Sequence, residues 1–210
     1  MLSGNRLPVL SLALASGAVD AFTFLALGQV FTSNMTGNLV LLGVSAGHGR
    51  LADALDSLVA LIAFTCGLTA AFQFIGSVTG WSARTRLTVG VELVLLAGLA
   101  VGWGLSGPRH VLIATAALAM GLQSAVTHRL RTFVGSTTFI TGALTSSIFR
   151  VLTPGTGQAH ISGLAAVLLA LAFGAAASAL CVRLLPAVAP MVALLAVALA
   201  LLSSAFTDEP

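Results

Sequence analysis

Long apolar runs separated by short polar breaks occupy almost the whole chain between Leu7 and Phe206. A hydrocarbon layer of ~30 Å takes about 20 helical residues to cross. Six runs meet that length or approach it: Leu7–Gly28, Ser57–Thr79, Leu87–Leu105, Val111–Thr127, Ile161–Val182 and Ala187–Phe206. They predict six transmembrane helices. The fourth is short, and the sixth carries Pro190 near its start, where a helix tolerates proline. Trp81 and Trp103 fall at span ends, as interfacial anchors do. Arg6 and Ala13-Leu14-Ala15 imitate a secretion signal, but the apolar stretch before that site is too short and continues past it, so the first run reads as a retained span.

Two further apolar stretches are interrupted. Phe31 to Asn38 leads into Leu39–Ala46, and Phe133 to Gly142 leads into Ala143–Phe149. After each Thr-Gly about ten helical residues remain, or ~15 Å, half a membrane. They read as half-helices. The same stretches carry an internal repeat. Gly17, Ala21 and Thr23 recur 104 positions later as Gly121, Ala125 and Thr127. With one residue inserted, Thr32, Thr36, Gly37 and Leu39 recur as Thr137, Thr141, Gly142 and Leu144. Residues 1–105 and 106–210 are then two copies within a single membrane domain, each with three spans and one half-helix. Three is odd, so the second copy is inserted upside down.

Arginine placement tests this 3+3 inverted arrangement against eight full spans in parallel 4+4 order. With six spans and a cytoplasmic N-terminus, Arg6, Arg84, Arg86, Arg129, Arg131 and Arg150 lie inside, and only Arg50, Arg109 and Arg183 outside. Eight spans give four inside and five outside. Six spans with both termini cytoplasmic fit better. The fold class expected is an all-α integral membrane protein of the bacterial inner membrane.

Composition agrees. Only 7% of the 210 residues are charged, against roughly 25% in a soluble domain, and 58% are hydrophobic. A soluble enzyme, a disordered chain and a DNA-binding domain are excluded. All nine basic residues are arginine and scattered, so there is no polybasic tether and no nucleic-acid stripe. The partner implied is the lipid bilayer. Cys66 and Cys181 sit alone in apolar runs and read as small core residues rather than a disulfide or metal pair.

Polar side chains concentrate where the half-helices begin. Around the first lie Thr32, Ser33, Asn34, Thr36 and Asn38; around the second, Ser136, Thr137, Thr138, Thr141 and Thr145, with Gly37 and Gly142 marking the two helix starts. A helix N-terminus at that depth directs unpaired N–H groups and about half a positive charge at the membrane centre. Non-helical backbone there must be buried in protein or line a wet cavity. Capping and helix–helix hydrogen bonds account for some of these groups, and a central polar site accounts for the rest. Asp20 lies 12 residues beyond Pro8, or ~18 Å along its helix. An acid at that depth costs at least ~2.5–3.5 kcal/mol and normally has a task. Its repeat partner is Ser124, beside Gln123, so the acid is not duplicated. Thr23 and Thr127 complete the candidate pathway, and a structural hydrogen bond from Asp20 to Thr127 or Gln123 is the competing reading.

Elsewhere the chemistry is sparse. Glu92, six residues past Arg86, reads as an interfacial partner of Arg84 or Arg86. His48, His110, His128 and His160 fall at span ends or in loops without ligand spacing and read as solvated. GxxxG occurs at Gly43/Gly47, Gly76/Gly80 and Gly98/Gly102, and allows close helix packing without requiring it.

Taken together, Gly17-Ala-Val-Asp20-Ala21, Met35-Thr-Gly-Asn38, Gly121-Leu-Gln123, Thr137-Thr138 and Thr141-Gly142 resemble the YoaK-like bacterial membrane proteins over nearly the whole chain. Ser124 departs from that family, which carries Asn after the Gln. The resemblance implies a multi-pass membrane fold and names no substrate.

The function expected is a small transporter or channel for a polar solute or ion, with Asp20 coupling protons or ions. The alternative is a non-transporting scaffold or assembly partner, and a homodimer is compatible with the size. A membrane-embedded enzyme is disfavoured, because the chain offers no deep His, carboxylate pair or metal cluster for hydrolysis or phosphoryl transfer. Neither a catalytic residue nor a cofactor is expected.

Overall fold

The structure is a computed structural model that describes residues 6–130, Thr145 and residues 159–207. Its elements are helices: α1 (Arg6–Ala26), α2 (Met35–Gly47), α3 (Leu51–Ile75), α4 (Ala83–Gly104), α5 (Arg109–Arg129), α6 (Ala159–Leu184), a 3₁₀ turn at Pro186–Val188, and α7 (Met191–Ser204). Among the described residues six stretches are long and apolar enough to cross a membrane: α1, α3, α4, α5, Gly163–Leu184 of α6, and Pro186–Ser204 through the turn and α7. Their outer faces carry large apolar side chains such as Val94, Leu169 and Leu195, each about two thirds exposed or more. In water that would be an untenable patch; against lipid it is ordinary. At 13 residues, α2 reaches only ~20 Å and is too short to cross.

The six spans match those read from the sequence to within a few residues, with one informative exception. α3 begins at Leu51 rather than Ser57, so it includes Asp53 and Asp56. Both acids are held there by partners. Asp56 is fully buried, pairs with Arg109 and lies 2.7 Å from His110 Nδ1. Asp53 pairs with Arg109 at 3.3 Å and with Arg50 at 3.7 Å. This ion cluster ties the start of α3 to the start of α5, so His110, expected to be simply solvated, is half-exposed and engaged. Trp81, expected at the interface, is instead buried between the helix ends, while Trp103 donates from Nε1 to Pro186 O at 2.8 Å. Cys66 is exposed rather than in the core, and both cysteines are free.

The bundle is organised by two extensive helix pairs, α1 with α6 and α3 with α5, flanked by α7 on α1 and α4 on α5. Glycine sets both main crossings. A methyl group on Gly17 would overlap Leu171 O across the α1–α6 contact, and one on Gly174 would overlap Leu14 O. Across the α3–α5 contact, Gly121 faces Phe64 O and Gly67 faces Leu118 O in the same way. Backbones that approach so closely gain dispersion contacts that lipid cannot replace. The GxxxG pairs do not do this: Gly43, Gly47 and Gly98 have no such neighbour within 4 Å. α1 and α5 run in opposite directions. Gln123 Nε2 donates to Leu12 O at 3.0 Å, and at the other end the Arg109 guanidinium packs over Gly28, whose φ of +108° leaves no room for a side chain.

Gly17→Ala or Gly121→Ala should therefore lower the stability of the detergent-solubilised protein by about 1–3 kcal/mol, the usual penalty of overpacking. Gly43→Ala should leave it unchanged. Thermal unfolding of the three variants compares them directly, and equal melting would remove the glycine contacts as the source of the crossings.

Candidate functional site

The chain between α1 and α2 is irregular, and its backbone groups need partners that lipid does not offer. Asp20 supplies two of them. Its Oδ1 accepts from Thr32 N at 2.7 Å, Ser33 N at 2.8 Å and Thr32 Oγ1 at 3.1 Å. Its Oδ2 accepts from Ser33 Oγ at 2.6 Å. Because Asp20 lies six residues before Ala26, this draws Thr32 and Ser33 back to a point ~9 Å inside the end of α1. Ser16 Oγ adds a bond to Ser33 Oγ at 2.9 Å.

The start of α2 is locked by two asparagines. Asn34 is its N-cap, its side chain accepting from Gly37 N at 3.2 Å. Asn38, fully buried, accepts from Phe31 N at 2.9 Å and donates to Phe31 O at 2.6 Å. A single side chain thus substitutes for a strand-like pairing with one residue. Phe31 in turn stacks on Phe24 with ring centroids 4.9 Å apart. α2 begins at Met35, so Thr36, Gly37 and Asn38 form its first turn instead of preceding it. Thr36 is exposed there.

The structure therefore brings Asp20, Asn34, Gly37 and Asn38 together, with Thr32 and Ser33 between them. Other predicted residues do not join that cluster. Thr23 Oγ1 donates within its own helix to Val19 O at 3.0 Å, and Thr127 Oγ1 does likewise to Ser124 O at 3.0 Å. Gln123 reaches α1 at Leu12, well away from Asp20, and its Oε1 is buried without a hydrogen-bond partner. Ser124 is half-buried on α5. Thr137, Thr138, Thr141 and Gly142, with the second interrupted stretch, lie outside the described residues; Thr145 is helical and exposed.

Two features escaped the sequence reading. A cavity of about 210 Å³ opens beside α2, lined by Gly28, Gln29, Ser45, Arg50, Asp53 and Ser57. It offers hydroxyls, an amide and charges of both signs. The signal available was the pairing of acids at the start of one span with Arg109 and His110 at the start of another. The second is Glu92. It is fully buried, and among the described residues neither carboxyl oxygen has a hydrogen-bond partner. The expected interfacial pair is not formed: Arg84 donates to Phe74 O at 3.5 Å, and Arg86 to Ser204 O at 3.0 Å and Thr207 O at 3.5 Å. The helix begins at Ala83, so Glu92 sits nine residues in, or ~14 Å, while both guanidinium groups bond near helix ends.

Comparison with known proteins gives a family and a relative. The profile of a family described as "Protein of unknown function (DUF1275)" matches residues 9–204. The UPF0700 transmembrane protein YoaK of Bacillus subtilis (strain 168) is 36% identical over 139 residues, 64% of this chain. The matched part spans 62% of that relative's own length, less than two thirds. No solved structure matches.

Asp20→Ala would leave four donors without their acceptor, and should cost about 3 kcal/mol, at the upper end for buried unsatisfied groups. Amide exchange at Thr32 and Ser33 should quicken, and Asp20→Asn, which keeps one acceptor oxygen, should lose less. Wild-type exchange in Asp20→Ala would exclude the anchoring role.

Proposed function

The chain belongs to the DUF1275 family of unknown function, and from that premise we propose that it is a small transporter or channel for a polar solute, in the bacterial cytoplasmic membrane with both termini inside. The carrying observation is the irregular, polar segment between α1 and α2, held by Asp20 at Thr32 and Ser33 and lining a cavity with charges of both signs through Gly28 and Gln29. Broken segments of this kind are tolerated in membranes where they are packed in protein or line a path, and in transporters they mark the binding site.

In this reading α2 is a half-helix, the segment around Thr141-Gly142 is its counterpart, and residues 1–105 and 106–210 are inverted repeats. Support comes from the glycine contacts. Gly17 and Leu14 of α1 correspond to Gly121 and Leu118 of α5, each 104 positions on, and Phe64 and Gly67 of α3 to Leu171 and Gly174 of α6, each 107 on. The α1–α6 contact is thus the α5–α3 contact repeated. Antiparallel α1 and α5 favour inversion, because a parallel 4+4 duplication would align them.

Asp20, engaged by four donors, positions the start of α2. The solute path runs past Thr36, Ser45 and the Arg50–Asp53 pair, with Ser124 and the Thr137–Thr141 stretch contributing from the second repeat. Nothing in the reading requires catalysis. A second reading, a non-transporting scaffold, draws on the bonds that Asp20 and Asn38 make to the loop between α1 and α2.

A variant with Cys66→Ala and Cys181→Ala, carrying Thr36→Cys or Ser45→Cys, should be modified by a water-soluble thiol reagent in membranes. If neither position reacts while loop controls do, the clusters are dry and the scaffold reading replaces transport. Reporters fused after Arg50 and after Arg150 should face opposite sides; the same side would overturn the inverted repeat.

A further inference from the structure

We infer that Glu92 is a proton-binding site inside the bundle, reached from the Ser82 end of α4. The inference deepens the transport reading by naming the coupling group, and its chemistry is independent of the solute.

The two deep carboxyls differ in kind. Asp20 accepts four hydrogen bonds, whereas Glu92 accepts none among the described residues and is fully buried. A buried carboxylate without donors or a counter-charge costs several kcal/mol. Something must neutralise it, and no cation among the described residues pairs with it. α7, packed on α4, has no ionisable side chain. On α5 the ionisable groups sit at the two ends, Arg109 and His110 at one and His128 and Arg129 at the other. On α3, Asp53 and Asp56 belong to the ion cluster and Cys66 is exposed. On α4 itself, Arg84 and Arg86 bond to backbone carbonyls away from the carboxyl. A metal cation would want about six oxygens, and no group of three or more acidic, His or Cys residues surrounds the site among the described residues. A proton needs only the carboxylate.

A route is present. Thr85, Thr88 and Glu92 are all buried and lie at i, i+3 and i+7, so they share one face of α4. Ser82 Oγ, at the helix start, is 2.9 Å from Thr85 Oγ1. Thr85 Oγ1 donates to Gly80 O at 3.0 Å and Thr88 Oγ1 to Arg84 O at 2.9 Å. The hydroxyls thus mark a polar line that ends one turn from the acid, and a proton passes along it only as those bonds open. The step is the simplest possible: hydronium at the Ser82 end gives its proton to the Glu92 carboxylate, leaving water and a neutral acid, and release reverses it. Asp20, by contrast, accepts four hydrogen bonds, and these favour its ionised form.

Infrared spectroscopy of the protein in liposomes tests this without a solute. Wild type should show the C=O band of a protonated carboxyl, and that band should shift in D₂O, persist in Asp20→Asn and vanish in Glu92→Gln. Glu92→Asp should keep a displaced band, which carries the test if the glutamine variant does not fold. Thr88→Val, which removes the hydroxyl nearest the acid along that face, should slow the D₂O shift. A missing band in wild type, a band that survives Glu92→Gln, or one indifferent to D₂O would overturn the proton site, and an unchanged exchange rate in Thr88→Val would overturn the route. An unlabelled Ser45→Cys with the Glu92 band intact would sink the solute path and leave this site standing.

Discussion

Lipid offers no hydrogen bonds, so every backbone group that leaves a helix inside the membrane must find its partner within the protein. The segment between α1 and α2 is built around that demand. Asp20 takes both amides of Thr32 and Ser33, and Asn38 takes both polar backbone groups of Phe31. A carboxylate and an amide thereby do what a helix or sheet ladder does elsewhere. Once those groups are satisfied, α2 can start beside α1 instead of beyond it, and the rest of the local architecture, including the cavity beside Ser45 and Asp53, follows from that placement.

The same absence of water removes the hydrophobic drive for helices to associate with one another. Close backbone approach takes its place. The four glycines at the α1–α6 and α3–α5 crossings are separated in sequence and form no GxxxG pair, yet each rests on a carbonyl of the facing helix. Position in the bundle, not the spacing of the motif, decides which glycines matter. The bundle's ion cluster acts at the helix ends, where Arg109 reaches Asp53, Asp56 and the turn at Gly28 together.

The polar groups divide by what surrounds them. Asp20 and Asn38 are surrounded by donors and acceptors and hold structure; Asp53 and Asp56 are surrounded by cations and join helix ends. Glu92 has neither. Its isolation sets it apart from every other acid of the spans, and Thr85 and Thr88 beneath it are the polar side chains of the same helix face.

Much was determined by sequence alone. Apolar runs of about 20 residues and a charged fraction of 7% require a helical membrane protein, because no other structure satisfies so apolar a chain. The depth of Asp20 marked it as unusual, and Thr36-Gly37-Asn38 marked the break before α2. What sequence could not supply was direction. Asp20 on a helix can face a solute, a cation or a loop, and only the fold turns Thr32 and Ser33 onto it. Glu92, six residues from an arginine, has every local reason to pair with it. The rotation of α4 decides otherwise, burying the carboxyl while Arg86 reaches the end of α7. Local spacing fixes which residues share a helix face, but which face is buried, and against what, is decided by packing between helices far apart in the chain.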